Sequence, residues 1–112
     1  MMIPIGNSLP RSYRVTLKKD FANIFSTGAR RTVGPLLFHL SVNTIGHSRL
    51  GLSIPKRVGN AVRRNSIKRR CREAFRLSKD ALPNLDIIIT VSPHEELSMD
   101  GYTQLLLKAI ES

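Results

Sequence analysis

Hydrophobic positions along the chain follow two different periods, which predict a mixture of helices and strands. Phe21, Ile24 and Phe25 recur at the spacing of one helical face, so residues 17–26 are predicted to form a helix. Gly28 follows it, and we expect this glycine to end the helix in a left-handed conformation. The first third of the chain therefore carries an amphipathic helix that needs a partner surface.

The rest of the chain adds strands and two further helices. Alternating apolar residues over 35–43 and 49–54 predict two strands, and three consecutive isoleucines within 86–91 predict a strand that is covered on both faces. The helical period returns over residues 60–79 and 102–111. This order of elements predicts a small α/β sandwich with a short sheet.

Length and composition limit the classes of protein that remain. The 112 residues, 41% of them hydrophobic, suit a single domain, 1–112, with one modest core. Residues 1–13 contain two prolines and a glycine and are predicted to form an irregular, flexible arm. No apolar run approaches the roughly 20 residues of a membrane span, and no signal peptide is apparent. One cysteine excludes a disulfide framework. We therefore expect a cytoplasmic protein without a membrane partner.

Positive charge is concentrated in one segment of the chain. The net charge is +10, and residues 56–79 contain ten basic side chains against Glu73 alone. Residues 80–112, in contrast, contain six acids and a single lysine. This asymmetry predicts a basic face that attracts a polyanion. A solvated, highly charged surface helix is the alternative, and the basic run by itself does not separate the two interpretations.

The helix predicted over residues 60–79 separates its apolar side chains from its cations. At about 100° per residue, the apolar seam expected to face the sheet consists of Ile67, Cys71, Ala74, Phe75 and Ser78. An arc of about 100° contains Lys68, Lys79, Arg72, Asn65, Arg76 and Arg69. Like charges at this spacing repel one another unless phosphates neutralise them, and arginine favours forked hydrogen bonds to phosphate. Because no motif that reads a DNA groove is present, the arc predicts contact with RNA rather than DNA.

A longer motif surrounds this arc and carries a family resemblance. The segment GLSIPKRVGNAVRRNSIKRRCREAFR, residues 51–76, resembles the signature of the bacterial ribonuclease P protein component. Residues 17–28 resemble that family's first helix, and residues 86–93 resemble its last strand. The resemblance implies an α+β fold with a four-stranded sheet packed against three helices, in the order α-β-β-β-α-β-α. It also implies a left-handed β-α-β crossover, which is rare and does not follow from the pattern.

The same resemblance implies a function. Proteins of this family are accessory subunits of a ribozyme, whose RNA subunit uses magnesium ions to remove the 5′ leader from precursor tRNA. The chain is then expected to be the protein subunit of an endoribonuclease holoenzyme, with ribonuclease P RNA and precursor tRNA as its partners. No cofactor, no metal ligand and no catalytic side chain are expected on the protein itself.

Site residues are implied one by one. The family's basic helix matches Arg64, Asn65, Lys68, Arg69 and Arg72, and the basic pair before it matches Lys56 and Arg57. With Arg63 and Arg76 these positions form the predicted RNA-binding set. The implied leader-binding cleft lies between the first helix and the sheet, with the aromatic residues Phe21, Phe25 and Phe38, which spacing alone would assign to the core. Aromatic rings of such a cleft can stack on the bases of a single strand.

Two positions depart from the family pattern. Ser66 stands where the family usually has arginine, and Pro55 stands where it often has serine. Ser66 removes one RNA-facing cation, and we expect Arg63 or Arg70 to compensate for that loss.

Two other functions stay open. A general RNA-binding or ribosomal-type protein could use the same basic helix without a ribozyme partner. A nuclease made of protein alone could use the C-terminal acids Asp86, Glu95, Glu96 and Asp100 to hold two metal ions. The first interpretation predicts equal affinity for unrelated structured RNAs, and the second predicts RNA cleavage by the isolated chain.

Overall fold

A computed structural model describes residues 9–111 of the chain. The three helices are α1 (Lys18–Thr27), α2 (Ala61–Ser78) and α3 (Met99–Glu111). The four strands are β1 (Ala29–Val33), β2 (Leu36–Val42), β3 (Arg49–Ser53) and β4 (Leu85–Val91). Short 3-10 turns lie at Arg11–Tyr13, Lys56–Val58 and Lys79–Ala81. The α+β fold and the order of elements that the resemblance implied are confirmed.

The strands form one mixed sheet in the order β1-β2-β4-β3. β2 pairs antiparallel with both β1 and β4, whereas β3 and β4 are parallel neighbours. Parallel neighbours need a crossover connection, and α2 supplies it. The predicted β-α-β unit is therefore present, and its hand stays a prediction.

The two faces of the sheet are covered by different helices. Because successive side chains of a strand point to opposite faces, β4 sends Ile87 and Ile89 to one side and Ile88 to the other. The first side packs with α2 and α3 around Phe38 and Tyr102 in the main core. On the second side Ile88 packs with residues of α1 and of the segment that precedes it.

Helix α2 has the burial that its sequence predicts. All five residues of the predicted apolar seam are buried: Ile67, Cys71, Ala74, Phe75 and Ser78. Asn60 caps the N-terminus, where its side chain accepts a hydrogen bond from the Arg63 amide at 2.9 Å. Since the seam holds the helix against the sheet, the opposite side of α2 is left for solvent or a partner.

Two expectations for the N-terminal third need correction. The prediction of an irregular arm is wrong for residues 9–13, because Leu9 is buried in the core and Arg11–Tyr13 form a 3-10 turn; residues 1–8 lie outside the described part. Gly28 has a φ of −75°, so it does not end α1 in a left-handed conformation. A Cβ there would lie 2.5 Å from the Ile24 carbonyl oxygen, and this close approach is what requires glycine.

One strand and one helix start also differ from prediction by more than one residue. Strand β1 was not located by pattern, because two arginines interrupt its hydrophobic alternation, but pairing with β2 along its whole length establishes it. Helix α3 begins at Met99 rather than Tyr102, and Ser98 accepts the amide of Gly101 through its side chain at 3.1 Å.

Candidate nucleic-acid interface

Three cations on the outer side of α2 have no carboxylate partner within residues 9–111. They are Lys68, Arg69 and Arg72. Arg69 is exposed, and the exposed Asn65 lies one turn before it on the same side. Burial, together with the positive charge of Arg14, lowers the pKa of Arg72. Cations that crowd each other in this way gain free energy from a multiply charged anion.

A cavity joins this surface to α1. It has a volume of about 150 Å³ at the edge of the sheet beside β3, where Lys68 and Arg72 line one wall and Phe21 and Val15 line another. Arg14 also lines it, and its Nε is buried without a hydrogen-bond partner in the described part of the chain. The site therefore combines cations with an apolar floor, which suits the phosphates and bases of a single strand.

The remaining cations of the arc are engaged within the protein. Arg76 forms a forked ion pair with Glu73, whose pKa is lowered by these hydrogen bonds. Lys79 lies 3.6 Å from the Asp80 carboxylate, and its Nζ lies 5.0 Å from the centre of the Tyr13 ring. The unpaired part of the arc is thus narrower than the helical projection predicts.

Arginines on the other flank of α2 hold the connection between β4 and α3. Arg63 donates to the carbonyl oxygen of His94, and Arg70 donates to that of Leu97. Both guanidinium groups bind the protein's own backbone, and the expectation that Arg63 or Arg70 compensates for Ser66 stays a prediction.

The other predicted RNA-binding residues lie at the start of the helix. Arg64 donates from Nε to the Gly59 carbonyl oxygen at 3.1 Å, which directs part of its guanidinium toward the backbone. Lys56 and Arg57 are exposed on the 3-10 turn before α2. This turn extends the basic surface beyond the N-terminus of the helix.

The aromatic residues predicted for the cleft do not all meet. Phe21 and Phe25 lie together on α1 with ring centroids 6.2 Å apart, and Phe25 is 40% exposed. Phe38 is 0% exposed and lies on the other face of the sheet, in the main core. It therefore does not line the cleft, and the prediction for Phe38 is corrected. The neighbouring His39 faces α1 instead and meets Phe25 edge to face, with centroids 4.7 Å apart.

His39 is the residue of this site that sequence reasoning missed. It is 6% exposed, and its buried Nδ1 has no hydrogen-bond partner among residues 9–111. Burial lowers the pKa of His39, and the charge of Arg30 lowers it further. Adjacent residues of a strand face opposite sides of the sheet. If Phe38 belongs to the core on one side, the alternation of β2 therefore predicts that His39 lies on the other side.

Comparison with known proteins decides the family. The model of the family described as Ribonuclease P matches residues 9–112. The chain belongs to the ribonuclease P protein family. A ribonuclease P protein component from Chlamydia abortus is 32% identical over 111 residues, which cover 95% of this chain and 80% of that protein. One from Streptococcus thermophilus is 37% identical over 100 residues, with 88% and 90% covered.

Solved structures of ribonuclease P proteins share the fold. A Staphylococcus aureus RNase P protein mutant, described as defective in mRNA degradation activity, superposes with a TM-score of 0.82 at 30% identity, over 90% of this chain and 87% of that one. The RNase P protein from Thermotoga maritima gives a TM-score of 0.76 at 28% identity, over 88% and 94%.

The C-terminal acids of this family member do not converge. Asp86 lies near the start of β4 and is bound by Arg49, whereas Glu95, Glu96 and Asp100 follow the end of that strand. Among residues 9–111 no group of three or more His, Cys, Asp or Glu side chains is placed to hold a metal ion. A two-metal nuclease site made from these acids is therefore contradicted. No helix within the same residues is long and apolar enough to cross a membrane.

Proposed function

We propose that this chain is the protein subunit of ribonuclease P. It binds ribonuclease P RNA and the 5′ leader of precursor tRNA in the cytoplasm, and so assists the endonucleolytic step that gives the mature tRNA 5′ end. The observation that carries this proposal is the trio Lys68, Arg69 and Arg72, which has no carboxylate partner among residues 9–111 and of which Lys68 and Arg72 line the cavity. Family membership directs that surface toward ribonuclease P RNA.

The contribution of the protein is electrostatic and positional. The cations of α2 neutralise phosphates where two RNA molecules approach each other, and this neutralisation releases bound counterions. Phe21 offers a ring surface in the cavity with Lys68 and Arg72, and the ring of Phe25 lies next to it, so unpaired leader bases can stack there. The chemistry belongs to the RNA subunit and its magnesium ions, and the protein side chains hold the substrate in position.

Reconstitution of the holoenzyme tests this proposal. The protein, the ribonuclease P RNA from the same organism and a precursor tRNA are combined at low magnesium, and the cleavage rate is measured with and without the protein. We expect the protein to accelerate cleavage. Absence of acceleration would contradict the proposal, and equal affinity for unrelated structured RNAs would favour a general RNA-binding protein instead.

Reversing the charge of one α2 cation tests whether this helix forms the RNA-binding surface. Arg69→Glu is expected to weaken RNA binding on the order of tenfold and to reduce the dependence of log K on log salt by about one, because one phosphate contact is lost. Lys108→Glu, an equal charge change on the exposed side of α3, is the matched control and should change affinity much less. Equal losses in the two variants would show that net charge, rather than this face of α2, determines binding.

A further inference from the structure

The connection between β4 and α3, residues 92–98, is fastened along one side of α2. Ser66 donates its hydroxyl to the Glu96 carboxylate, and the Arg70 Nε lies 3.2 Å from the same carboxylate. Arg63 and Arg70 also donate to backbone carbonyl oxygens of this connection. Three side chains on successive turns of one helix therefore form hydrogen bonds or ion pairs with the same short segment.

The connection is also anchored from behind. The buried Tyr102 hydroxyl lies 2.8 Å from the His94 Nε2 and accepts the Leu97 amide at 3.2 Å. Through the His94 ring and the Leu97 amide, the segment on both sides of Glu96 is thus held by α3 as well as by α2. As a result, the carboxylate of Glu96 stays at the surface of α2 instead of extending into solvent.

This carboxylate borders the predicted RNA surface. Ser66 and Arg70 directly follow the exposed residues Asn65 and Arg69 in the helix, so Glu96 places a negative charge at the border of that surface. The side chain of Arg70 is 42% exposed, enough to reach a phosphate if it were released. On the opposite edge of the same surface, Lys68 and Arg72 have no carboxylate partner among the described residues.

We propose that Glu96 is a specificity-determining residue, which masks Arg70 and closes this side of α2 to RNA. Phosphates are then directed to the edge formed by Lys68 and Arg72, next to the cavity. A carboxylate at the border repels phosphate and occupies a guanidinium that would otherwise bind any polyanion. The masking narrows the contact surface, and so disfavours RNAs that do not fit the remaining edge. This inference rests on the proposed RNA-binding function.

Two neighbouring glutamates allow a matched test. Glu96→Gln removes the charge that contacts Arg70, whereas Glu95→Gln removes the same charge from an exposed position in the same connection. The dissociation constant is measured against salt concentration for ribonuclease P RNA and for an unrelated structured RNA. We expect Glu96→Gln to bind the unrelated RNA roughly threefold to tenfold more tightly than Glu95→Gln, with a salt dependence steeper by about one phosphate contact.

A double variant assigns the gain to Arg70. Glu96→Gln combined with Arg70→Ala has the net charge of the natural chain and is expected to bind both RNAs with the natural affinity. Thermal melting shows whether Glu96→Gln alone is unfolded at the assay temperature. In that case the comparison of the double variant with the natural chain tests whether Glu96 masks Arg70. Weaker binding by the double variant would overturn the masking, because Arg70 would then contribute to RNA binding in the natural chain.

Other outcomes separate this inference from the proposed function. Identical behaviour of Glu96→Gln and Glu95→Gln, or weaker binding by Glu96→Gln, would overturn the masking while leaving the proposed function intact. If the natural chain shows no preference for ribonuclease P RNA, the proposed function fails. The difference between the two glutamine variants on unrelated RNA would still measure whether Glu96 masks Arg70.

Discussion

The two faces of the sheet differ in how completely helices cover them. One face lies under both α2 and α3, and its side chains, such as Phe38 and Ile89, belong to one continuous apolar core. Among residues 9–111 the other face is covered by the ten residues of α1 and the short segment before it, and its buried apolar cluster consists of Val15, Ile24 and Ile88. A single short helix cannot cover four strands, so this face retains rings and charged groups near solvent. The closed face supplies most of the apolar core, and the open face supplies the aromatic side of the candidate site, whose cations lie on the outer side of α2.

Polar contacts on the open face replace part of the missing apolar packing. Arg49 and Asp86 are directly opposite each other on the parallel strands β3 and β4, and they form two hydrogen bonds of 2.8 and 2.7 Å. Asn43 donates a third hydrogen bond to Asp86 at 2.9 Å. Arg49 also lies 3.7 Å from Asp20 of α1. This network ties the single covering helix to the sheet.

Removing one phenyl ring from each face would give the largest contrast. Phe38→Ala is expected to lower the free energy of unfolding by about 3–5 kcal/mol, because it leaves a cavity in the closed core. Phe25→Ala, at a position that is 40% exposed, is expected to cost less than about 1 kcal/mol. Urea denaturation of both variants measures the difference. Similar losses would mean that the two faces contribute equally to stability.

The network on the open face should have the next largest effect. Asp86→Asn is expected to lower the free energy of unfolding by about 3 kcal/mol at pH 7, because the largely buried Arg49 loses the carboxylate that accepts both of its hydrogen bonds. Burial alone would raise the pKa of Asp86, but the hydrogen bonds from Arg49 and Asn43 outweigh burial and lower it. The ion pair between Arg49 and Asp86 therefore stabilises the folded protein as long as the Asp86 carboxylate is ionised.

Low pH should remove the difference in the free energy of unfolding between the natural chain and Asp86→Asn. The folded pKa of Asp86 lies below its unfolded value of about 3.9, so its contribution is complete above that pH and is lost as pH falls through the folded pKa. Denaturation of the natural chain and of Asp86→Asn at pH 7 and near pH 3 tests the expectation that the two stabilities converge in acid. A gap that stays constant with pH would show that the carboxylate acts through packing rather than charge.

The side of α2 that is buried could be predicted from the sequence, and its contacts with distant loops could not. The five seam residues, from Ile67 to Ser78, recur at helical spacing. A helix that is buried on one side has apolar residues at this spacing in its sequence, so the buried side can be predicted. Arg63 and Arg70, in contrast, bind carbonyl oxygens about 30 residues away. Every residue has a carbonyl group, so nothing in the residue types marks these acceptors.

Strand β2 shows why the aromatic cleft was only partly predictable. Its alternation separates Phe38 from His39, but both faces of the strand carry apolar side chains. Whether the face with Phe38 or the face with His39 meets α1 depends on the register of β2 with β4 and on how the chain enters the sheet. A shift of one residue in that register would exchange the two faces. The resemblance implied a ring on the α1 side, and the ring that lies there is the imidazole of His39.

The smallest expected effect concerns that imidazole. Since the folded pKa of His39 lies below the unfolded value of about 6.5, the unfolded chain binds more protons, and stability falls as pH drops through this range. His39→Phe keeps a ring against Phe25 and removes both the titration and the buried Nδ1, which has no hydrogen-bond partner among the described residues. Between pH 7 and pH 5 its stability should decline less than that of the natural chain, by under about 1 kcal/mol. Urea denaturation at pH 7, 6 and 5 measures this difference, and parallel curves for the two proteins would show that the open face leaves His39 free to take up a proton.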